Sequence, residues 1–148
     1  MVDFKHLTFE EPEPNVGVAT MNRPEVMNAV NTVLAGELRD VFLAMETGVL
    51  GDINCLVLTG AGERAFSAGG DLKERNGMSN EQWQSQRVVF REYNRAQEAC
   101  PIPIICAVNG LAMGGGVEMI MRSDFAYAVE DTKFGLPEIR HGFFPGSG

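Results

Sequence analysis

Leu34, Leu38, Val41 and Met45 recur at i, i+4, i+7 and i+11, which is the spacing of one helix face. Asn31 or Thr32 stands just ahead of them as an N-cap. Elsewhere the apolar runs shorten. Segments 6–10 and 16–21 read as strands, and Pro12, Pro14 and Asn15 between them supply turn chemistry, so the pair predicts a hairpin. The short apolar runs 53–58, 104–108 and 125–129 predict three more strands. Gly60 and Gly62 close the first of these, and a loop follows through Gly70. Ser79-Asn80-Glu81-Gln82 has the form of a capping box. It opens a helix with apolar positions Val89, Tyr93, Ala96 and Cys100, which Pro101 and Pro103 end. A further helix is expected around 117–122, and Pro137 suits the first turn of a short last one.

Strands alternating with helices predict an α/β layer architecture with crossover connections. The length of 148 residues suits one domain spanning 1–148. No linker or low-complexity tract interrupts it. There is no residue-level repeat, although the strand–helix unit recurs.

Composition removes several function classes. The net charge is −8 with scattered Lys and Arg, which argues against a nucleic-acid partner, since phosphate binding needs clustered cations. Arg87, Arg91 and Arg95, spaced by four, read as a solvated helix stripe. Lys73 and Arg75 form the other small basic group, a spot able to meet a phosphorylated ligand. Cys55, Cys100 and Cys106 show no Cys-x-x-Cys spacing and lie in apolar surroundings. They read as reduced core thiols, which fits a cytoplasmic compartment. No apolar stretch resembles a secretory signal or is long enough to span a bilayer, so no membrane partner is expected. His6 and His141 lack the spaced partners of a metal site, and His141 reads as a surface or packing residue.

The chemistry concentrates in glycine-marked segments. Residues 109–118 run Asn-Gly-Leu-Ala-Met-Gly-Gly-Gly-Val-Glu, after a strand and before a helix. Bare backbone N–H groups at Gly114-Gly115-Gly116 suit an oxyanion site, and tight strand–helix packing explains the same glycines. Glu118 closes that run, with Arg122 at i+4 as a possible ion-pair partner. Glu138 sits in Phe134-Gly135-Leu136-Pro137-Glu138 and also reads as an acid near a helix start. Residues 66–73 run Phe-Ser-Ala-Gly-Gly-Asp-Leu-Lys, with Asp71 as a cap for a short helix. Two carboxylates and two glycine loops together are the parts of a carboxylate-assisted reaction on an acyl group. Gly60-Ala61-Gly62-Glu63-Arg64-Ala65 matches a dinucleotide-binding pattern, but no helical pattern opens at its third position. Ser67 has no nearby His base, so a nucleophilic serine is not supported.

At these residues the sequence resembles the crotonase superfamily, the enoyl-CoA hydratases and isomerases. Asn22-Arg23-Pro24 with Asn28-Ala29 is similar to its N-terminal signature, 66–73 to its first oxyanion motif, 109–118 to its second and 134–146 to its third. The resemblance implies a spiral of repeated β-β-α units, whose C-terminal part lies beyond residue 148 in relatives. It implies an acyl-CoA thioester substrate, no cofactor besides the CoA of that substrate, and a homo-oligomer, a trimer or dimer of trimers. By carry-over, the Gly70 and Gly115 N–H groups form the oxyanion hole. Glu118 activates a water and Glu138 exchanges the proton at C2. Val26, Ala68, Gly70, Asp71, Leu72, Lys73 and Gly115 contact substrate or CoA, with Lys73 near the phosphates. Position 70 is Gly where many relatives carry Ala.

The expected activity is water addition across the C2–C3 double bond of an enoyl-CoA. Isomerase chemistry and a non-catalytic acyl-CoA-binding or assembly module on the same scaffold are the alternatives. Trp83 or Phe90 reads either as pocket lining or as core packing.

Overall fold

The first turn of a helix has N–H groups without helical partners, and here Asn31 supplies one: its Oδ1 accepts from the Leu34 N–H at 2.9 Å. Helix α1 spans Thr32–Thr47, and its expected apolar face is buried, joined by Ala35 and Phe42. The computed structural model describes residues 3–142 and 144–146. Phe143 of the 134–146 segment and the His141 side chain lie outside that description.

Strands β1 (Leu7–Glu13) and β2 (Val16–Met21) form the expected hairpin. Pro12 remains inside β1 rather than in the turn. That is tolerated because β1 is the sheet edge and the pairing register shifts between Glu10 and Glu13. Strand β3 is Cys55–Gly60, two residues later than its apolar run. Its parallel partner sets the ends, from Val16 opposite Cys55 to Met21 opposite Gly60, while Ile53 is buried just ahead of it.

Three further strands are too short to carry a sequence signal: β4 (Ala65–Ser67), β6 (Leu111–Met113) and β8 (Phe134–Gly135). Two or three residues are too few to show a period. Strands β5 (Ile104–Val108) and β7 (Phe125–Ala128) fall where expected. The long strands form one sheet in the order β1-β2-β3-β5-β7, and the short ones a second, β4-β6-β8. Apart from the hairpin, all pairings are parallel.

After the hairpin and α1, each long strand is followed by a short one and then by a helical segment. β3 and β4 lead to α2 (Leu72–Asn76) and α3 (Asn80–Glu98), β5 and β6 to α4 (Gly115–Met121), and β7 and β8 to the 3-10 turn Pro137–His141. The β-β-α unit thus repeats.

The capping box holds on both sides: the Ser79 hydroxyl accepts from the Gln82 N–H, and the Gln82 side chain accepts from the Ser79 N–H. Tyr93 and Ala96 face the core from α3, while Cys100 lies past its end. Two buried polar residues on that face, Gln86 and Gln97, break the apolar pattern. Gln97 is satisfied, since its Nε2 donates to the Met119 carbonyl at 2.8 Å and to the Ser123 hydroxyl at 3.1 Å. Helices α1 and α3 pack together, with the Phe42 and Tyr93 rings stacked at 6.4 Å. Phe42, Phe66, Leu34, Leu38, Leu56 and Leu58 are fully buried, each stabilising the fold by about 1.5–3 kcal/mol.

Of the three free thiols only Cys106 is a core residue; Cys55 and Cys100 are half-buried. The stripe of Arg87, Arg91 and Arg95 is exposed as expected. Among the described residues, no helix is long and apolar enough to cross a membrane.

Candidate active site

Parallel pairing of β4 with β6 sets Ala65 opposite Leu111 and Ser67 opposite Ala112, so both glycine loops leave the short sheet at the same end. They touch. Gly69 has φ of +86°, and a methyl group there would lie 2.7 Å from the Met113 carbonyl oxygen and 2.9 Å from the Gly115 nitrogen. A methyl at Gly116 would lie 2.4 Å from the Ser67 carbonyl oxygen. A methyl at Gly115 would meet only ordinary contacts, the Gly70 nitrogen at 3.7 Å and Glu118 Oε2 at 3.8 Å. The triple glycine therefore divides its work. Gly116 serves strand–helix packing, whereas Gly115 faces the other loop.

Among the described residues, neither the Gly70 nor the Gly115 N–H has a hydrogen-bond acceptor, and both residues are partly exposed. The Gly70 loop is held by its neighbours. The Val30 N–H donates to the Gly69 carbonyl at 2.7 Å, and the Asp71 N–H donates to the Val30 carbonyl at 2.9 Å.

Asn28 is the second brace. It is fully buried at φ +53°, and its Nδ2 donates to the Ala61 and Ala65 carbonyls at 3.0 and 2.9 Å. Its own carbonyl accepts from the Ser67 hydroxyl at 2.9 Å, which gives that serine a positioning task. Nothing in the residue pattern alone assigned these roles to Asn28.

Glu118 is 6% exposed, on the first turns of α4. Glu138 is half-buried at the second position of the last 3-10 turn, brought in by pairing of β6 with β8 and by the Gly114 N–H donating to the Gly135 carbonyl at 2.8 Å. A methyl at Gly114 would lie 2.7 Å from Glu138 Oε1. Both carboxylates therefore border the Gly114-Gly115 dipeptide. Glu138 Oε2 is buried without a hydrogen-bond partner among the described residues. Native proteins leave few such acceptors, and functional sites are among the exceptions.

Asp71 is engaged on both oxygens. Oδ1 accepts from the Lys73 and Glu74 N–H groups, and Oδ2 accepts from Arg23 Nη1 at 3.0 Å. Burial pushes its pKa up, but the Glu74 N–H and the Arg23 guanidinium outweigh this and leave it below the usual carboxylate value. Its side chain thus caps α2 and joins the two signatures. Leu72 and Lys73 are exposed on α2, Ala68 donates its N–H to the Met27 carbonyl at 2.9 Å, and Val26 is half-buried in the 3-10 turn Pro24–Val26.

Arg75 was legible only as a member of a small basic group, yet it turns inward against Gly70. The dinucleotide pattern is excluded, because Ala65 begins β4 where a helix is required.

A profile of the enoyl-CoA hydratase/isomerase family matches residues 11–148. The chain is 36% identical over 138 residues to a short-chain-enoyl-CoA hydratase of Clostridium acetobutylicum, covering 93% of this chain and 52% of that protein. It is 36% identical over 148 residues to the mitochondrial enoyl-CoA hydratase of Pongo abelii, covering 99% of this chain and 49% of that protein. The crystal structure of an enoyl-CoA hydratase from Bacillus anthracis superposes with a TM-score of 0.90 at 35% identity, covering 97% of this chain and 55% of that one. The chain spans about half the length of the curated relatives it matches. With the β-β-α repeat and the ordered motifs, these matches show that the chain belongs to the enoyl-CoA hydratase/isomerase family.

Proposed function

We propose that the site hydrates an enoyl-CoA thioester. The observation that carries the reading is the meeting of two unengaged N–H groups, Gly70 and Gly115, with two carboxylates around one dipeptide. The thioester oxygen accepts from both N–H groups. Glu118 removes a proton from water as the water oxygen bonds to C3. The C2–C3 electron pair moves toward the carbonyl, and the enolate charge collects on the held oxygen. Glu138 then protonates C2 as the carbonyl re-forms. One oxyanion donor is worth about 2.7–4 kcal/mol of barrier in enzymes where it has been removed. Here the donors are backbone groups, and side-chain truncation leaves them in place.

Ala68, Asp71, Leu72 and Lys73 flank Gly70 in the chain, and Val26 precedes Met27, whose carbonyl accepts from the Ala68 N–H at 2.9 Å, which supports CoA contacts there. Hydratases among the relatives support the reaction class. No further cofactor is needed by these steps. A homo-oligomer, a trimer or dimer of trimers, belongs to the same reading, supported by the exposed apolar residues Phe125, Tyr127 and Ile139. A cytoplasmic setting does too, supported by free thiols in the fold.

The test is loss of the conjugated enoyl absorbance of a short trans-2-enoyl-CoA. Glu118→Gln and Glu138→Gln should each slow it by about 10²–10⁴-fold, the usual worth of a positioned acid or base. Undiminished rates in both variants would sink the assignment. A product that gains no water but shifts its double bond identifies an isomerase instead. Tight acyl-CoA binding without turnover identifies a binding module.

A further inference from the structure

Arg75 is a cation held on several sides. A methyl at Gly70 would lie 2.9 Å from its Nη2, 3.0 Å from Cζ and 3.2 Å from Nη1, so the guanidinium covers the Cα of an oxyanion residue. Its Cζ lies 5.2 Å from the Trp83 ring centre and 5.3 Å from that of Phe90. Nε donates to Gln86 Oε1 at 3.2 Å, and Gln86 is itself fixed by Glu74 at 2.7 Å and Thr32 at 2.8 Å. Among the described residues, no carboxylate forms an ion pair with Arg75, and neither Nη1 nor Nη2 has an acceptor. Burial pushes its pKa down, and the more distant charges of Glu74, Asp71 and Glu118 act against that shift. The two rings and Gln86 offset part of the burial, and both Nη groups stay open to an anion brought by a ligand.

We propose that Arg75 is a specificity-determining residue that selects acyl-CoA thioesters whose acyl chain carries a carboxylate. The inference rests on the hydration reading for the identity of the thioester. CoA also offers anions, but its expected contacts, Leu72 and Lys73, are exposed on α2, whereas Arg75 lies inward against Trp83 and Phe90. Its guanidinium also lies against the Cα of Gly70, whose N–H is assigned to the thioester oxygen, which sets it beside the acyl head rather than out along α2. The planar fork, already fixed at Nε, presents two nitrogens to a carboxylate.

Saturated thioesters test this without turnover. Glutaryl-CoA and pentanoyl-CoA have equal chain length and differ in the terminal carboxylate. Calorimetry on the native chain should show glutaryl-CoA binding roughly tenfold or more tightly, the range of a charge-assisted hydrogen bond. Arg75→Met should abolish that preference and leave CoA itself bound as before. Should Arg75→Met fail to fold, as circular dichroism will show, Arg75→Lys carries the test. It keeps the charge without the fork and must weaken glutaryl-CoA more than pentanoyl-CoA. Four results overturn the proposal: no preference in the native chain, a preference that survives substitution, an equal loss for both thioesters and CoA, or no binding at all. The equal loss would assign Arg75 to CoA phosphates. Selective binding by a chain that hydrates no enoyl-CoA keeps this proposal and rejects hydration. Hydration without selectivity does the reverse.

Discussion

Alanine at position 116 would point its methyl group at the backbone of β4. The nearest atom, the Ser67 carbonyl oxygen, would be 2.4 Å away, with Ser67 Cβ at 3.1 Å and the Ser67 carbonyl carbon at 3.2 Å. A backbone oxygen cannot rotate aside, so α4 must retreat from β4 by about 1 Å to reach ordinary contact. Alanine gains about 1 kcal/mol over glycine in helix propensity. Overpacking of this kind costs about 1–3 kcal/mol, and contact with backbone belongs at the upper end. Gly116→Ala should therefore destabilise by about 1–2 kcal/mol. The neighbouring Gly115 N–H moves with the helix, and a misplacement of about 1 Å typically costs about 10²-fold in rate. Gly36 is the control. It lies on α1 with nothing among the described residues within 4 Å of an added methyl, so Gly36→Ala should stabilise by about 0.5–1 kcal/mol. Urea unfolding followed by circular dichroism, with the enoyl-CoA rate beside it, reads both. A Gly116→Ala variant as stable and as active as the parent would refute the packing argument.

Two further predictions concern titratable groups. Because the folded pKa of Asp71 is depressed, its stabilisation is complete above the unfolded value of about 3.9 and fades as pH falls through the folded one. Asp71→Asn should thus lower the urea midpoint at pH 7, and the gap from the parent should close in acid; a gap that persists at pH 2 would refute the linkage. Burial pushes the Cys106 thiol up to about 11 and leaves it without exposed surface, although Ser123 and Arg122 act the other way. Cys106 should resist a disulfide reagent at pH 8 until the chain unfolds, and peptide mapping of fast-labelled protein that finds Cys106 modified would contradict this.

How much was legible depended on the range of the interactions involved. The α1 face, the Ser79 box and the Asp71 cap are local, and the side chains that make them lie within a few residues of the groups they satisfy. Strand ends were less legible. β3 ends where β2 stops pairing with it, and Pro12 stays in β1 because no third strand needs its missing N–H. The second sheet was invisible because β4, β6 and β8 have no period of their own and exist by pairing with one another. In the site, the glycine runs and the glutamates were legible as residue types. The division between Gly115 and Gly116 was not, since only the position of Ser67 distinguishes them.

Arg75 marks the same boundary. By itself the chain determined the motif order, the caps, the buried faces and the presence of two acids beside two glycine loops. Tertiary structure decided that those acids border one dipeptide, that Asp71 pairs with Arg23, and that Arg75 lies on Gly70 against two rings. The reason is physical: capping and periodicity act over a few residues, whereas loop contact depends on parallel strands whose register is set by partners distant in sequence.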